Sequence, residues 1–442
     1  MIIDMPSTTT SAVNRKLVDL RDSGGAIALG RVLTLIIVTD DSGAEEAIEA
    51  ANSASREHPC RVLVVVQANR RGVDRVDAQI RIGGDAGASE VIVLRLYGRL
   101  AQHGDSVVTP LLLPDSPVVA WWPSVAPPVP SEDPIGRMAQ RRITDAAAAR
   151  SPRKELDKRR AGYAVGDTDL SWTRLTKWRG LLAAALDQPP YHPVESITVT
   201  GASDSPSTDL LGAWLAETLK APVVRAKVKA GTGLASVRLQ RRGGAVDLVR
   251  VEGAIATLSQ PGQPDRRIGL PRRPTAECLA EELRRLDPDE IYQLTLARGL
   301  DRLDAGRTLT AAQAASSGQM PSLDAARDRS REAEQHERST AKAIAKAHPE
   351  AGGTVPSPAE EGSVPSSTAG ARSPRTAPGA KASGSAGAKA PATTTAKKST
   401  AKKSTAARST ATKSSAAKAA PAKRSAPAKR SAAARTTTKA AR

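Results

Sequence analysis

Arg31–Asp40, RVLTLIIVTD, then Gly43–Arg56, GAEEAIEAANSASR, then Cys60–Gln67, CRVLVVVQ, form the most telling stretch of this chain. The two outer runs are apolar and rich in β-branched residues, the pattern of strands covered on both faces. Between them Ala44, Ala47, Ile48 and Ala51 fall on one face at helical spacing. A strand, helix and strand of these lengths predict a βαβ unit with parallel strands and a right-handed crossover.

Working outward, Val76–Ile82 alternates apolar and polar residues, as a half-exposed strand nearer a sheet edge does. Glu90–Tyr97 reads as a buried strand, Ser106 as the cap of a short helix running to Leu113, and Val118–Trp122 as extended chain before a Pro-rich break. Ile135–Ala149 reads as helix. A charged stretch, Arg150–Arg160, then separates two halves. The second half predicts a helix over Asp169–Leu186, stopped by Pro189 and Pro190, a strand at Val194–Thr200, a helix at Thr208–Leu219 and a strand at Val223–Val228. Val237–Arg241 and Val246–Val251 flank Gly243 and Gly244, a hairpin signal. Helices at Ala276–Leu286 and Asp289–Leu303 complete it. The fold class is therefore α/β, two mixed domains at 1–150 and 165–305, followed by a charged linker at 306–361 and a disordered basic tail at 362–442.

Charge is distributed unevenly. The formal net charge is +19 over 442 residues, yet residues 362–442 hold 18 of the 65 Lys and Arg and no Asp or Glu, leaving 47 basic against 46 acidic groups in the body. From Pro365 onward the tail has no side chain able to offset the roughly 1–2 kcal/mol of backbone entropy that ordering each residue costs. The repeated AKKST and PAKRSA segments add low complexity. Lys397, Lys398, Lys402, Lys403, Lys423, Arg424, Lys429 and Arg430 suit loose, salt-sensitive contact with nucleic acid or another polyanion. With no aromatic residue between them, base readout is not expected. A nucleoid- or nucleic-acid-associated protein acting through this tail is accordingly the alternative reading of function.

Phe is absent, and all nine Trp and Tyr lie between Tyr97 and Tyr292, so Ala, Val and Leu must fill the cores. The two cysteines, Cys60 and Cys278, and the lack of a hydrophobic leader predict a reduced, cytoplasmic protein without a disulfide framework. No apolar run is long enough to span a membrane.

The most distinctive motif is Gly166–Leu186, GDTDLSWTRLTKWRGLLAAAL. At helical spacing Trp172, Leu175, Trp178, Leu182 and Leu186 make an apolar stripe flanked by Arg174, Lys177 and Arg179. Such a stripe is first of all what a packed helix shows. Trp and Arg are also the residues most enriched at interface hot spots, which makes Trp172, Arg174, Trp178 and Arg179 the candidate partner-binding set.

Enzyme motifs are missing. Gly83, Gly84 and Gly87 lack dinucleotide-binding spacing and a following helix, and suit a hairpin loop. The five histidines show no metal-ligand spacing. Gly201, Ser203, Ser205 and Ser207 lie where a strand passes into a helix and could present backbone N–H groups to a phosphate, although Ser207 acting as an ordinary helix cap is the simpler reading. Cys278 would stand in the first turn of a helix capped by Thr275, where the helix dipole favours a thiolate and Glu277 opposes it. It is the candidate redox residue, whereas Cys60, on an apolar strand, reads as inert.

In order along residues 1–305, RVLTLIIVTD, HPCRVLVVV, VVAWWP, RRITDA and GDTDLSWTRLTKWRGLLAAAL resemble the OpcA family of glucose-6-phosphate dehydrogenase assembly proteins. The resemblance implies a nonenzymatic, cofactor-free partner that binds glucose-6-phosphate dehydrogenase and favours its active oligomer in the oxidative pentose phosphate pathway, with an association to redox control. The tail lies outside it.

Overall fold

The computed structural model describes residues 1–24, 31–82, 90–250 and 252–328, with 331, 332, 335 and 339 singly. In the first half, strand β1 (Ile2–Thr8) and helix α1 (Thr10–Gly24) precede β2 (Leu33–Thr39), α2 (Ala44–Ser55), β3 (Cys60–Gln67), β4 (Arg75–Ile82) and β5 (Glu90–Tyr97). There follow α3 (Gly104–Val108), β6 (Val118–Trp121), α4 (Pro134–Met138), β7 (Arg141–Thr144), α5 (Pro152–Ala161) and β8 (Asp167–Asp169).

Eight strands form one sheet in the order β1-β4-β5-β3-β2-β6-β7-β8. The pairs from β5 through β8 are parallel, and β4 runs antiparallel to both β1 and β5. The opening βαβ expectation is met, because β2 and β3 pair in parallel across α2. Alternate residues explain the apolar runs. Leu35, Ile37, Val62 and Val64 enter the core cluster on one face, and Ile36, Val38, Leu63 and Val65 that on the other. β4 alternates as expected and lies one strand from the edge, beside β1. The loop carrying Gly83, Gly84 and Gly87 lies outside the described residues.

The helix expected at Ile135–Ala149 is replaced by α4, β7 and a 3₁₀ turn at Ala146–Ala148. Side-chain pairing accounts for the difference. Arg141 and Arg142 on β7 are buried, and each finds a carboxylate, Glu282 and Asp167 respectively, which lets a charged RRIT segment sit inside a sheet. The charged stretch before residue 161 is not featureless either: it forms α5, whose Leu156 and Arg159 are buried. The short helix near Ser106 begins earlier, at Gly104.

The second half contains α6 (Leu170–Thr173), α7 (Thr176–Leu186), β9 (Val194–Ala202), α8 (Pro206–Leu219), β10 (Val223–Val228), β11 (Leu234–Arg241), β12 (Val246–Val249), β13 (Ile255–Ser259) and β14 (Arg266–Gly269). It continues with α9 (Thr275–Arg284), α10 (Glu290–Leu294), a π-helical turn at Thr295–Gly299, α11 (Leu300–Ala305), β15 (Arg307–Thr310) and α12 (Ala311–Ser316). Its seven strands are ordered β14-β13-β12-β11-β9-β10-β15. β10 is parallel to β9 and β15, and the other pairs are antiparallel. The expected hairpin is β11 and β12, where Gly243 (φ +87°) and Gly244 (φ +127°) take backbone conformations that side chains disfavour. One helix over Asp169–Leu186 becomes two, because the chain turns at Arg174 and Leu175. The stretch read as linker opens with β15, which pairs with β10, so the sheet extends beyond residue 305.

Both sheets belong to one compact unit, Met1–Val355. One helix crosses between them. Cys278, Leu279, Ala280 and Leu283 on α9 pack with Ala47, Ile48 and Ala51 of α2 over the first sheet, although α9 follows the last antiparallel strand of the second.

Candidate functional site

Asp169 begins the central segment. It caps α6 by accepting from the Ser171 N–H at 2.9 Å, and it also accepts from the Thr144 hydroxyl at 2.6 Å and the Ala146 N–H at 2.9 Å. Burial, and then the Asp145 charge, raise its carboxyl above the usual range. The four residues of α6 join two cores, since Leu170 packs with the first sheet and Trp172 with the second.

Trp172 and Trp178 are interior, 1% and 2% exposed. The Trp172 indole N–H donates to Asp289 Oδ2 at 2.7 Å, its ring lies 5.8 Å from that of Tyr292, and the Arg179 guanidinium stands over the ring at 3.7 Å. Trp178 has the Arg250 guanidinium 5.2 Å from its ring. The four candidate contact residues therefore divide by type. Both tryptophans are buried, Trp178 also forming part of a cavity wall, and the arginines border clefts. Arg174 grips Asp145 through two bonds of 2.8 and 2.6 Å; burial works against its charge, but the carboxylate wins and its pKa stands above the ordinary value. Arg179 is pushed the other way, downward, by burial.

Arg179 lines a crevice of about 550 Å³ together with Arg141, Glu281, Glu282, Arg285 and Asp289. Glu282 is its hub. It accepts from Arg141 at 3.1 and 2.5 Å and from the Thr173 hydroxyl at 2.5 Å, so α9, β7 and α6 meet at a single carboxylate. Sequence reading missed Glu282, Asp289 and Asp145, whose partners stand tens to more than a hundred residues away. Only the TDA and DTD triplets around Asp145 and Asp169 hinted at buried caps.

Cys278 and Cys60 are fully buried thiols in the same core cluster. Cys278 does lie in the first turn of α9, but Pro274 rather than Thr275 holds the cap position. Burial pushes the Cys278 thiol up to about 11, outweighing Arg273 and Arg174, which pull the other way. At the start of α8 the cap is Ser205, which accepts from Thr208 N–H at 3.3 Å, and not Ser207, whose hydroxyl donates to the Ser171 carbonyl at 2.8 Å. The tail lysines and arginines named above lie outside the described residues. Among the described residues no group of three or more His, Cys, Asp or Glu is placed to hold a metal, and no helix is long and apolar enough to cross a membrane.

No curated protein matches the chain. Solved structures similar to it include UDP-N-acetylglucosamine 3-dehydrogenase from Acidithiobacillus ferrooxidans, 10% identical over 62% of this chain and 98% of that one, with a TM-score of 0.32. An oxidoreductase from Sinorhizobium meliloti is 10% identical over 60% and 86%, with a TM-score of 0.32. A glucose-6-phosphate dehydrogenase in complex with its substrate glucose-6-phosphate is 9% identical over 63% and 94%, with a TM-score of 0.29. Two family models match in succession: that of the N-terminal domain of the glucose-6-phosphate dehydrogenase subunit over residues 51–161, and that of its C-terminal domain over residues 165–296. Motif order and both models agree, and the chain belongs to the OpcA family of glucose-6-phosphate dehydrogenase assembly proteins.

Proposed function

We propose that this protein binds glucose-6-phosphate dehydrogenase in the cytoplasm and favours its active oligomer, without catalysing a reaction of its own. The observation that carries this reading is the consecutive match of two dehydrogenase-subunit domains across both halves of the body. The physical means is differential affinity: a protein that binds the assembled enzyme more tightly than its separated subunits shifts the population toward assembly. In this reading 1–150 and 165–305 are the two domains, and the segment carrying Trp172, Arg174, Trp178 and Arg179 is the contact region. The buried tryptophans hold its shape while the arginines meet the partner. Arg179 is the better probe of the two, since Arg174 is already committed to Asp145.

The test is co-sedimentation and activity of the dehydrogenase from the same organism, with and without this chain. The full chain should raise the assembled fraction and the specific activity. Arg179→Gln, which adds no charge to the acidic crevice, should weaken the association about tenfold or more, as loss of an interface Arg anchor does, with circular dichroism showing that the variant is folded. Parental association by that folded variant would remove Arg179 from the interface. Failure of the unmodified chain to associate at all would end the functional proposal.

A further inference from the structure

A second cavity, of about 420 Å³, opens at the start of α8 and is walled by Arg174, Arg250, Arg272 and Arg273. Among the described residues its only lining carboxylate is Asp204, which accepts from the Gly231 N–H at 3.2 Å. Two of the four cations already have counter-charges: Arg174 has Asp145, and Arg273 has Glu277 and Glu281. The other two do not. Among the described residues, Arg250 donates to the carbonyls of Leu270 at 2.8 Å and Leu234 at 3.3 Å, Arg272 donates to that of Thr232, and neither meets a carboxylate.

Arg250 is the telling residue, because it is only 8% exposed. Its guanidinium, withdrawn from water, has two neutral carbonyls and the Trp178 ring 5.2 Å away but no carboxylate among the described residues, less than the full counter-charge that buried charges ordinarily find. Burial, and then the nearby Arg272 charge, depress its pKa to about 10, which is the electrostatic mark of the same imbalance. Arg272 is held toward the site by close packing. A Cβ on Gly233, at φ +69°, would lie 2.8 Å from its guanidinium. The third element is α8, 14 residues long, whose positive end forms the cavity wall at Ser205, Pro206 and Ser207. Asp209, in its first turn, is not among the lining residues and is itself paired with Arg225 at 2.5 Å.

We propose that this cavity binds a small phosphate monoester, its phosphate held between Arg250 and Arg272 at the N-terminal end of α8. A buried guanidinium and an exposed one, neither paired with a carboxylate among the described residues, match a phosphate near its second ionisation better than they match a single carboxylate. Trp178, Leu175 and Pro271 supply apolar wall for the organic part, and the volume is that of a small-molecule site. The Ser-rich turn thus takes part chiefly through the helix end, where the Ser207 hydroxyl already donates to the Ser171 carbonyl and Ser205 Oγ accepts from the Thr208 N–H.

The test is calorimetric titration of the full chain with inorganic phosphate and with glycerol 3-phosphate, using glycerol as the uncharged control. Both phosphates should bind saturably with one site per chain and glycerol should not. Arg272→Glu reverses an exposed charge, so the chain should stay folded and lose about tenfold or more in affinity for both, the scale of a charge-assisted bond. The tail is the same in both proteins, so its diffuse contribution cancels in the comparison. Arg250→Met, where it folds, should show the same loss; where it does not, Arg272→Glu alone decides. Absence of saturable binding, equal affinity in Arg272→Glu, or binding of inorganic phosphate without the ester would each overturn the assignment. No dehydrogenase is present, so the outcome is independent of the assembly reading.

Discussion

The two sheets bury charge in different ways. In the first, β2, β3 and β5 are apolar on both faces, and the buried pair Arg61 and Glu90 stands side by side at the starts of adjacent strands, bonded at 2.8 Å. Around the second, buried charges gather where helices meet the sheet and where the halves touch: Glu282 with Arg141, Asp209 with Arg225, and Arg250 with carbonyls alone. Arg61 meets Glu90 directly across two neighbouring strands, whereas Arg141, at the start of β7, takes its carboxylate from α9. At the junctions the partner comes from a different element, α9 for Arg141 and α8 for Arg225, and Arg250, which has no carboxylate among the described residues, faces a cavity.

The largest expected effect lies at the junction. Glu282→Ala leaves Arg141 buried without its carboxylate and also strips the Thr173 hydroxyl of its closer acceptor. Stability in urea should fall by about 3–5 kcal/mol, the usual result of breaking a buried pair from one side. A loss under about 1 kcal/mol would mean that water or a shifted side chain replaces the pair, and the contrast between the sheets would fail.

The next effect depends on pH. Burial lifts the Asp209 carboxyl to about 6, against the pull of Arg225 and Arg153. The folded chain then holds a proton between about pH 4 and 6 that the unfolded chain has released, so this group's contribution to stability is fully present below about pH 4 and is lost as pH rises through 6. Its size is up to about 3 kcal/mol. Asp209→Asn should remove that slope, so its stability relative to the parent should improve from pH 4 to pH 7. A difference between the two proteins that does not change with pH would show that the ion pairs, not burial, govern this carboxyl.

The smallest response is expected from the core shared by α2 and α9. With its pKa near 11, Cys278 is thiolate in only about one molecule in a thousand at pH 8, and no exposed path leads to it because the residue is fully buried. Thiol-reactive dye should label native protein slowly and urea-unfolded protein at once. Rapid labelling of Cys278 in the native state would restore it as a redox candidate and would show that α9 detaches readily from α2.

Local pattern was enough wherever an element is specified by its own neighbours. Cys60–Gln67, Glu90–Tyr97 and Val223–Val228 are strands with the boundaries read from their apolar runs, and the βαβ unit and the Gly243–Gly244 hairpin follow from period and turn chemistry. The motif order placed the chain in its family. Tertiary structure alone decided that RRIT is a buried strand, that Asp169–Leu186 breaks at Arg174, that β15 extends the second sheet, and that α9 roofs the first. The reason is the range of the interactions. Hydrophobic period and turn geometry act over a few residues, whereas the carboxylates that neutralise Arg141, Arg142 and Arg174 come from positions 25 to 141 residues away, and nothing in a charged side chain announces which distant partner will make its burial tolerable.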